Sequence, residues 1–265
     1  MHPIERLRYV ARASGASHDV LVRETAGALS AFASDPSGLV TACRRIVARQ
    51  PGSGPMWWLC ARVLTAPDAM AEAWRAVEEM ESDTASRELA HALPEGATVC
   101  VVGWPDLVAD ALVQRGDLEV LVVDAHGEGA GLVRRLEASE VDSVDIPPIG
   151  LGAAAADADL VLVEPSAVGS DEMLCVAGSR AVAATARHAG VPVWTVLGVG
   201  RLLPPRMWDA LVARCDLTEP WDADDELVPV DLVDRVVSAA GIEDPTDALR
   251  RIDCPVAGEL LRGLD

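Results

Sequence analysis

The stretch with the densest reactive chemistry is Gly178-Ser179-Arg180, which opens the segment SRAVAATARHAG. A helix starting there brings backbone N–H groups, a hydroxyl and a guanidinium to its positive end, a combination that suits a phosphate. Gly-Ser is also an ordinary helix start, and the residues alone leave both readings open. His126 follows the apolar run EVLVVD. An unperturbed imidazole titrates at about pH 6.5, which makes His126 the leading acid-base group of the chain, with an ordinary loop histidine as the alternative. Ser166 lies in VEPSAVGSDEMLCVAGSR, where Glu164 and Asp171 flank it with carboxylates and Glu172 reads as solvent-facing. Gly103 and Trp104 follow TVCVV; Trp104 is either an apolar lid over a ligand or the hydrophobic neighbour of Pro105 at a helix start. Arg201, in GVGRLLPP, either reaches an anion or lies on the surface.

The elements that position these residues fall into two patterns. Through residue 90, apolar residues recur at three and four positions in IERLRYVARA, DVLVRETAGALSAFA, GLVTACRRIVARQ and AMAEAWRAVEEM. That period predicts an N-terminal helical subdomain, residues 1–90, of roughly four or five short helices. Adjacent tryptophans diverge on a helix, so Trp57-Trp58 should send one ring into the core and the other to a neighbouring surface, with a ligand-stacking role as the alternative. From residue 91 to 242 the period changes to short apolar runs, TVCVVG, EVLVVD, VDSVDI, DLVLVE and PVWTVLG, alternating with helix-spaced segments. Strands apolar on both faces and separated by helices predict an α/β domain: a Rossmann-like parallel sheet with helices on both faces. The acidic run 221–226 reads as an exposed loop, VDLVDRVVSAAG as a last helix, and residues 243–265 as a C-terminal helical tail. In such sheets ligands collect outside the carboxyl ends of the strands, where Gly103, His126 and Gly178 fall.

Composition removes several chemistries. The formal charge is −20, and all 22 basic residues are arginine. Without lysine there is no Schiff-base lysine, no P-loop lysine and no lysine general base, so any phosphate is held by arginine, amides and hydroxyls. An acidic surface repels nucleic acid, and no direct DNA or RNA binding is expected. The six cysteines are widely spaced, with no CxxC pair, and the five histidines are scattered. No metal and no cofactor are expected. No apolar run reaches the roughly 18–20 residues of a membrane span, and the N-terminus is charged where a signal peptide would be apolar; a cytoplasmic protein is expected.

The segment ADLVLVEPSAVGSDEMLCVAGSRAVAATARHAGVPVWTV resembles a signature of the initiation factor 2B α/β/δ family, which includes methylthioribose-1-phosphate isomerase and ribose-1,5-bisphosphate isomerase. There a strand ends in Val-Gly-Ala-Asp, and Asn-Lys-Ile-Gly-Thr opens a helix running to His-x-Gly-Val-Pro. Asp159 to Val163 match the strand, Gly178-Ser179 the Gly-Thr, and Arg187 to Pro192 the helix end. EVLVVDAHGEGAGLVRRL and LVPVDLVDRVVSAAG extend the likeness. The resemblance implies a dimer formed through the Rossmann-like half. It places the family's reactive cysteine at Gly103, its aspartate at Ser166, its Asn-Lys at Cys175-Val176 and the arginine of its Glu-Ser-Arg-Pro at His126. Glycine donates no proton and an unactivated serine is a poor acid or base, so the aldose-ketose reaction lacks both partners. Cys100, three residues before the expected cysteine, reads as a packing residue of the first strand.

The expectation is therefore a protein that binds a small phosphorylated metabolite, a sugar or nucleotide, without isomerase turnover. Gly178, Ser179 and Arg180 would hold the anion, and Gly103, Trp104, His126 and Ser166 would shape the pocket. One alternative is an isomerase with a replaced acid-base pair, His126 with Glu164. Another is a non-catalytic subunit of a protein assembly.

Overall fold

The computed structural model describes residues 18–262. The helix expected from IERLRYVARA lies outside the described residues. Five helices come first: α1 (His18–Leu29), α2 (Pro36–Arg49), α3 (Gly54–Thr65), α4 (Ala69–Glu81) and α5 (Ala85–Ala92). Asp35 and Asp68 cap α2 and α4 by accepting from the amides of Gly38 and Ala71, which satisfies N–H groups that a helix start leaves without partners. The helix α3 is apolar on nearly every side and is buried accordingly. Both Trp57 and Trp58 are fully buried, a correction to the expected split between core and surface. Arg214 lies over the Trp57 ring and Arg62 over the Trp58 ring, with the guanidinium carbons 4.9 and 4.6 Å from the ring centroids. Cationic stems thus cover faces that the sequence leaves to a surface.

The second part alternates strand and helix: β1 (Thr98–Val102), α6 (Asp106–Arg115), β2 (Glu119–Val123), α7 (Gly129–Glu137), β3 (Asp142–Ile146), α8 (Leu151–Asp157) and β4 (Leu160–Val163). After β5 (Ala167–Val168) and β6 (Glu172–Val176) come α9 (Ser179–Ala189), β7 (Val193–Val196) and α10 (Pro205–Val212). The chain ends through β8 (Asp225–Pro229), β9 (Arg235–Ser238), β10 (Gly241–Glu243) and α11 (Pro245–Ala248). Seven strands form one sheet in the order β10-β9-β7-β4-β1-β2-β3, parallel except for β10.

Side-chain alternation explains why β1 from Val99 onward and the whole of β4 are apolar. Val99, Val101, Leu160 and Leu162 enter the core shared with α5, α6 and α7, while Cys100, Val161 and Val163 enter the core shared with α8 and α9. A strand with both faces covered has no polar side. The edge strands β3 and β10 depart from this pattern: β3 exposes Asp142, Val144 and Asp145, and β10 exposes Ile242.

Three expectations are corrected. VDLVDRVVSAAG is not a helix: it contains β9, with Val236 and Val237 in opposite cores of the sheet. Val230, Val233 and Val237 mimic helical spacing, but a position beside β7 with both faces buried selects the extended form. The acidic run 221–226 is not all exposed loop: Asp225 and Glu226 belong to β8, which forms a second, antiparallel sheet with β5 and β6. Beyond α11 the tail is not helical among the described residues; Cys254, Ala257 and Leu260 instead pack into the core of the helical subdomain.

Candidate functional site

Strand order reverses between β1 and β4: β2 and β3 continue from one, β7 and β9 from the other. Ligands of open α/β sheets bind at such a switch point, outside the carboxyl ends of the strands. Here α6 leaves β1 on one face, and α9, reached from β4 through the small sheet, lies on the other. Both helices direct N-terminal amides to this edge, and both are met by carboxylates of the same chain.

At α9, Oε1 of Glu226 accepts from the amides of Gly178 at 2.7 Å and Arg180 at 2.9 Å. The β6–β8 register produces this contact, since Glu226 lies opposite Cys175, just before the helix. Gly178 holds φ +100°, a left-handed conformation that favours glycine and turns its N–H toward the carboxylate. At α6, Oε2 of Glu164 accepts from the Val108 amide at 2.9 Å, and its Oε1 accepts from the Arg201 guanidinium at 2.6 Å. Arg201 also donates to the Pro165 carbonyl at 2.6 Å. The two side chains are only 4% and 3% exposed, so this is a buried, hydrogen-bonded ion pair. At the start of α7, Oδ1 of Asp124 accepts from the Gly129 amide at 2.8 Å. Each carboxylate takes the place at a helix tip that an anionic ligand would take.

The sequence-predicted residues separate around this edge. Gly178, Ser179 and Arg180 come together at the α9 tip as expected, with Ser179 buried and Arg180 exposed. Gly103 is left-handed at φ +65° and lies beside Val176, whose Cγ1 would be 3.6 Å from an added Cβ. The positions where the resemblance places cysteine and lysine are thus neighbours, occupied by glycine and valine. His126 reaches the same neighbourhood with a left-handed backbone, φ 56°. Its Nε2 lies 3.0 Å from the Asp224 carbonyl and its Nδ1 lies 3.4 Å from the Asp224 carboxylate.

Two other residues have different surroundings. The Ser166 hydroxyl donates back to the Leu174 carbonyl at 3.2 Å, and its own carbonyl accepts from Gly54 at 3.0 Å, so the serine locks the small sheet to α3. Trp104 lies against Gly131 of α7, where an added Cβ would come within 2.6 Å of the ring. Trp104 is 38% exposed, and Pro105 directly precedes α6. The pair His126–Glu164 is not formed: the ring engages Asp224, and both carboxylate oxygens engage Arg201 and Val108. Burial pushes the Cys100 thiol up to about 12, which removes it as a thiolate near neutral pH.

Sequence reading missed Glu226 and the Glu164–Arg201 pair. Glu226 sits in a run whose acidity reads as a solvated loop, yet DELVP carries the β8 pairing. Arg201, left open as an anion contact or a surface residue, is buried beneath the edge. Among the described residues no group of three or more histidine, cysteine, aspartate or glutamate side chains converges as a metal site, and no helix is long and apolar enough to cross a membrane.

A helical subdomain ahead of an open, mostly parallel sheet, with the switch-point amides met from within, defines the architecture. No protein-family model and no curated protein matches the chain. Solved structures do. The translation initiation factor eIF-2B of Pyrococcus horikoshii OT3 matches 93% of this chain and 98% of its own, with a TM-score of 0.78 at 16% identity. The eIF2B beta protein of Chaetomium thermophilum matches 99% of this chain and 93% of its own, with a TM-score of 0.72 at 17% identity. A chain of the tetrameric eIF2B-beta2-delta2 complex of C. thermophilum matches 94% and 93%, with a TM-score of 0.74 at 19% identity. The fold is that of these eIF2B structures, as the resemblance implied.

Proposed function

We propose that this chain is a non-catalytic relative of the initiation factor 2B proteins that serves as a subunit of a protein assembly, with a strand-end crevice closed to phosphorylated sugars. The observation that carries the reading is the Glu226 carboxylate on the amides of Gly178 and Arg180, the position a phosphate would need. A second anion brought there would meet like charge from Glu226 in a partly desolvated site. Gly103 and the internally bonded Ser166 supply no proton-transfer couple, and the isomerase reaction requires one. The assembly role is supported by the fold, shared with a chain of a β2δ2 tetramer, and by apolar side chains at the β3 edge: Val144 is 45% exposed and Ile149, just beyond it, 96%.

Two measurements test this. Incubation with ribose phosphates in deuterated water should give neither deuterium at the sugar carbons nor ketose; either product would refute the non-catalytic reading. Sedimentation at micromolar concentration should give a dimer or a larger species, whereas a monomer throughout would refute self-assembly.

A further inference from the structure

Where β8 passes into β9 and β10 into α11, the surface carries an open groove of about 730 Å³. Its floor is apolar: Val233 is buried in the sheet core, and Val230 and Leu249 pack half-buried against the same core. Three exposed carboxylates line it, each from a different segment: Asp171 at the β5–β6 turn, Asp231 in the single 3-10 turn Val230–Leu232, and Asp244 ahead of α11. Short-range hydrogen bonds fix two of them. Asp171 Oδ2 accepts from the Ser170 hydroxyl at 2.6 Å, and its carbonyl accepts from the Val230 amide at 2.9 Å. Asp244 Oδ1 accepts from the Thr246 amide at 2.9 Å, a bond that lowers its pKa and keeps it ionised. None of the three forms an ion pair among the described residues. Arg250, which also lines the groove, pairs with Asp247, and Arg235 acts on Asp244 only from beyond ion-pair distance.

An acidic rim alone is what a chain of charge −20 shows in many places. Here it encloses an apolar floor that stays wet in the free chain, at a cost that a docked segment removes. We propose that this groove docks a peptide segment of a partner protein, one that carries arginine or lysine beside branched apolar residues. The apolar side chains cover Val230 and Leu249, and the cations meet Asp171, Asp231 and Asp244. An inorganic cation would leave the floor wet, and an uncharged apolar segment would desolvate the carboxylates without pairing them, so the groove selects for both features in one ligand. Because the local hydrogen bonds already fix Asp171 and Asp244, little ordering cost falls on this side of the contact. The proposal reaches beyond self-assembly, and a chain that sediments as a monomer would leave it standing.

The test is a selection of random peptides displayed on phage against the immobilised full-length chain. Enriched peptides are then synthesised with a fluorescent label and titrated by fluorescence polarisation. Their sequences should combine arginine or lysine with leucine, isoleucine or valine. Affinity should fall at least about tenfold in the double variant Asp171→Asn, Asp231→Asn, which corresponds to about 1.4 kcal/mol. The control is the double variant Asp142→Asn, Asp145→Asn, which removes the same charge from exposed positions of β3, across the sheet from β9 and β10. It should bind the peptides as tightly as the wild type does. Far-UV circular dichroism establishes that both variants are folded. If the groove variant does not fold, Asp231→Asn alone should weaken binding by about threefold. Enrichment of sequences without cations overturns the proposal, as does no enrichment over the bare support. Equal losses in the groove variant and the β3 variant overturn it too, because the peptides would then respond to net charge and not to the groove.

Discussion

Replacing Glu164 with glutamine removes one charge from a pair whose side chains are 4% and 3% exposed. Arg201 then remains buried with its hydrogen bond to the Pro165 carbonyl but without its hydrogen-bonded counter-charge. Breaking a buried pair from one side costs about 3–5 kcal/mol, and the surviving carbonyl contact argues for the lower end, about 3 kcal/mol. Arg201→Met strands Glu164 instead, which keeps only the Val108 amide, so a similar loss of about 3 kcal/mol is expected. The double variant leaves neither charge unpaired, and its cost should fall short of the summed single costs by about 2 kcal/mol. The assay is urea unfolding followed by circular dichroism and tryptophan fluorescence, with coincident transitions required. At a slope of about 2–3 kcal/mol per molar urea, each single variant lowers the midpoint by about 1 M. Single costs below about 1 kcal/mol that simply add in the double variant would refute the reasoning, because the pair would then behave as a hydrated surface contact.

Further outcomes follow from the same geometry. Burial, and after it the Glu164 charge, raises the Asp106 carboxyl from 3.8 to about 6, with Arg201 opposing. The native state therefore holds the extra proton between those values, and this group's contribution to stability falls as pH rises through that window and stays lost above it. Asp106→Asn should stabilise by about 1 kcal/mol at pH ~7.5, a figure reduced for the partly exposed side chain, with the gain fading as pH drops toward about 4; thermal melts across pH check it, and a pH-independent effect would contradict it. Ser166→Asp should fail to create isomerase activity and should cost about 1–3 kcal/mol, since it trades a hydroxyl donor for a carboxylate facing the Leu174 carbonyl; chemical denaturation and a ketose assay read both. Gly178→Ala meets no close contact beyond Val102 at 3.6 Å, so its expected cost of about 1–2 kcal/mol comes from the left-handed backbone, and urea midpoints measure it. Trp221→Ala, at a position 79% exposed, should leave stability within about 0.5 kcal/mol in the same assay.

The strands that flank the switch point were legible because both faces of β1 and β4 are buried, which leaves a continuous apolar run that no exposed element shows. The α9 start was legible for a local reason, a glycine and a small polar residue ahead of an alanine-rich helix. β9 was not, because Val230, Val233 and Val237 satisfy a helical spacing while their burial is decided by β7, a distant partner. The two-residue strand β5 is too short to carry a period of its own. What fills the site lay further from view. Glu164 and Arg201 are 37 residues apart, and Glu226 reaches Gly178 across 48, separations that no periodicity spans. Local pattern thus located the helix tip, and only the register of β8 on β6 disclosed what occupies it.

The most direct test of a crevice filled from within is a crystal structure of the wild-type chain grown in ribose 5-phosphate. The account predicts Glu226 Oε1 on the amides of Gly178 and Arg180 with no phosphate at the α9 tip. Phosphate density on those two amides, with the Glu226 side chain turned into solvent, would contradict it.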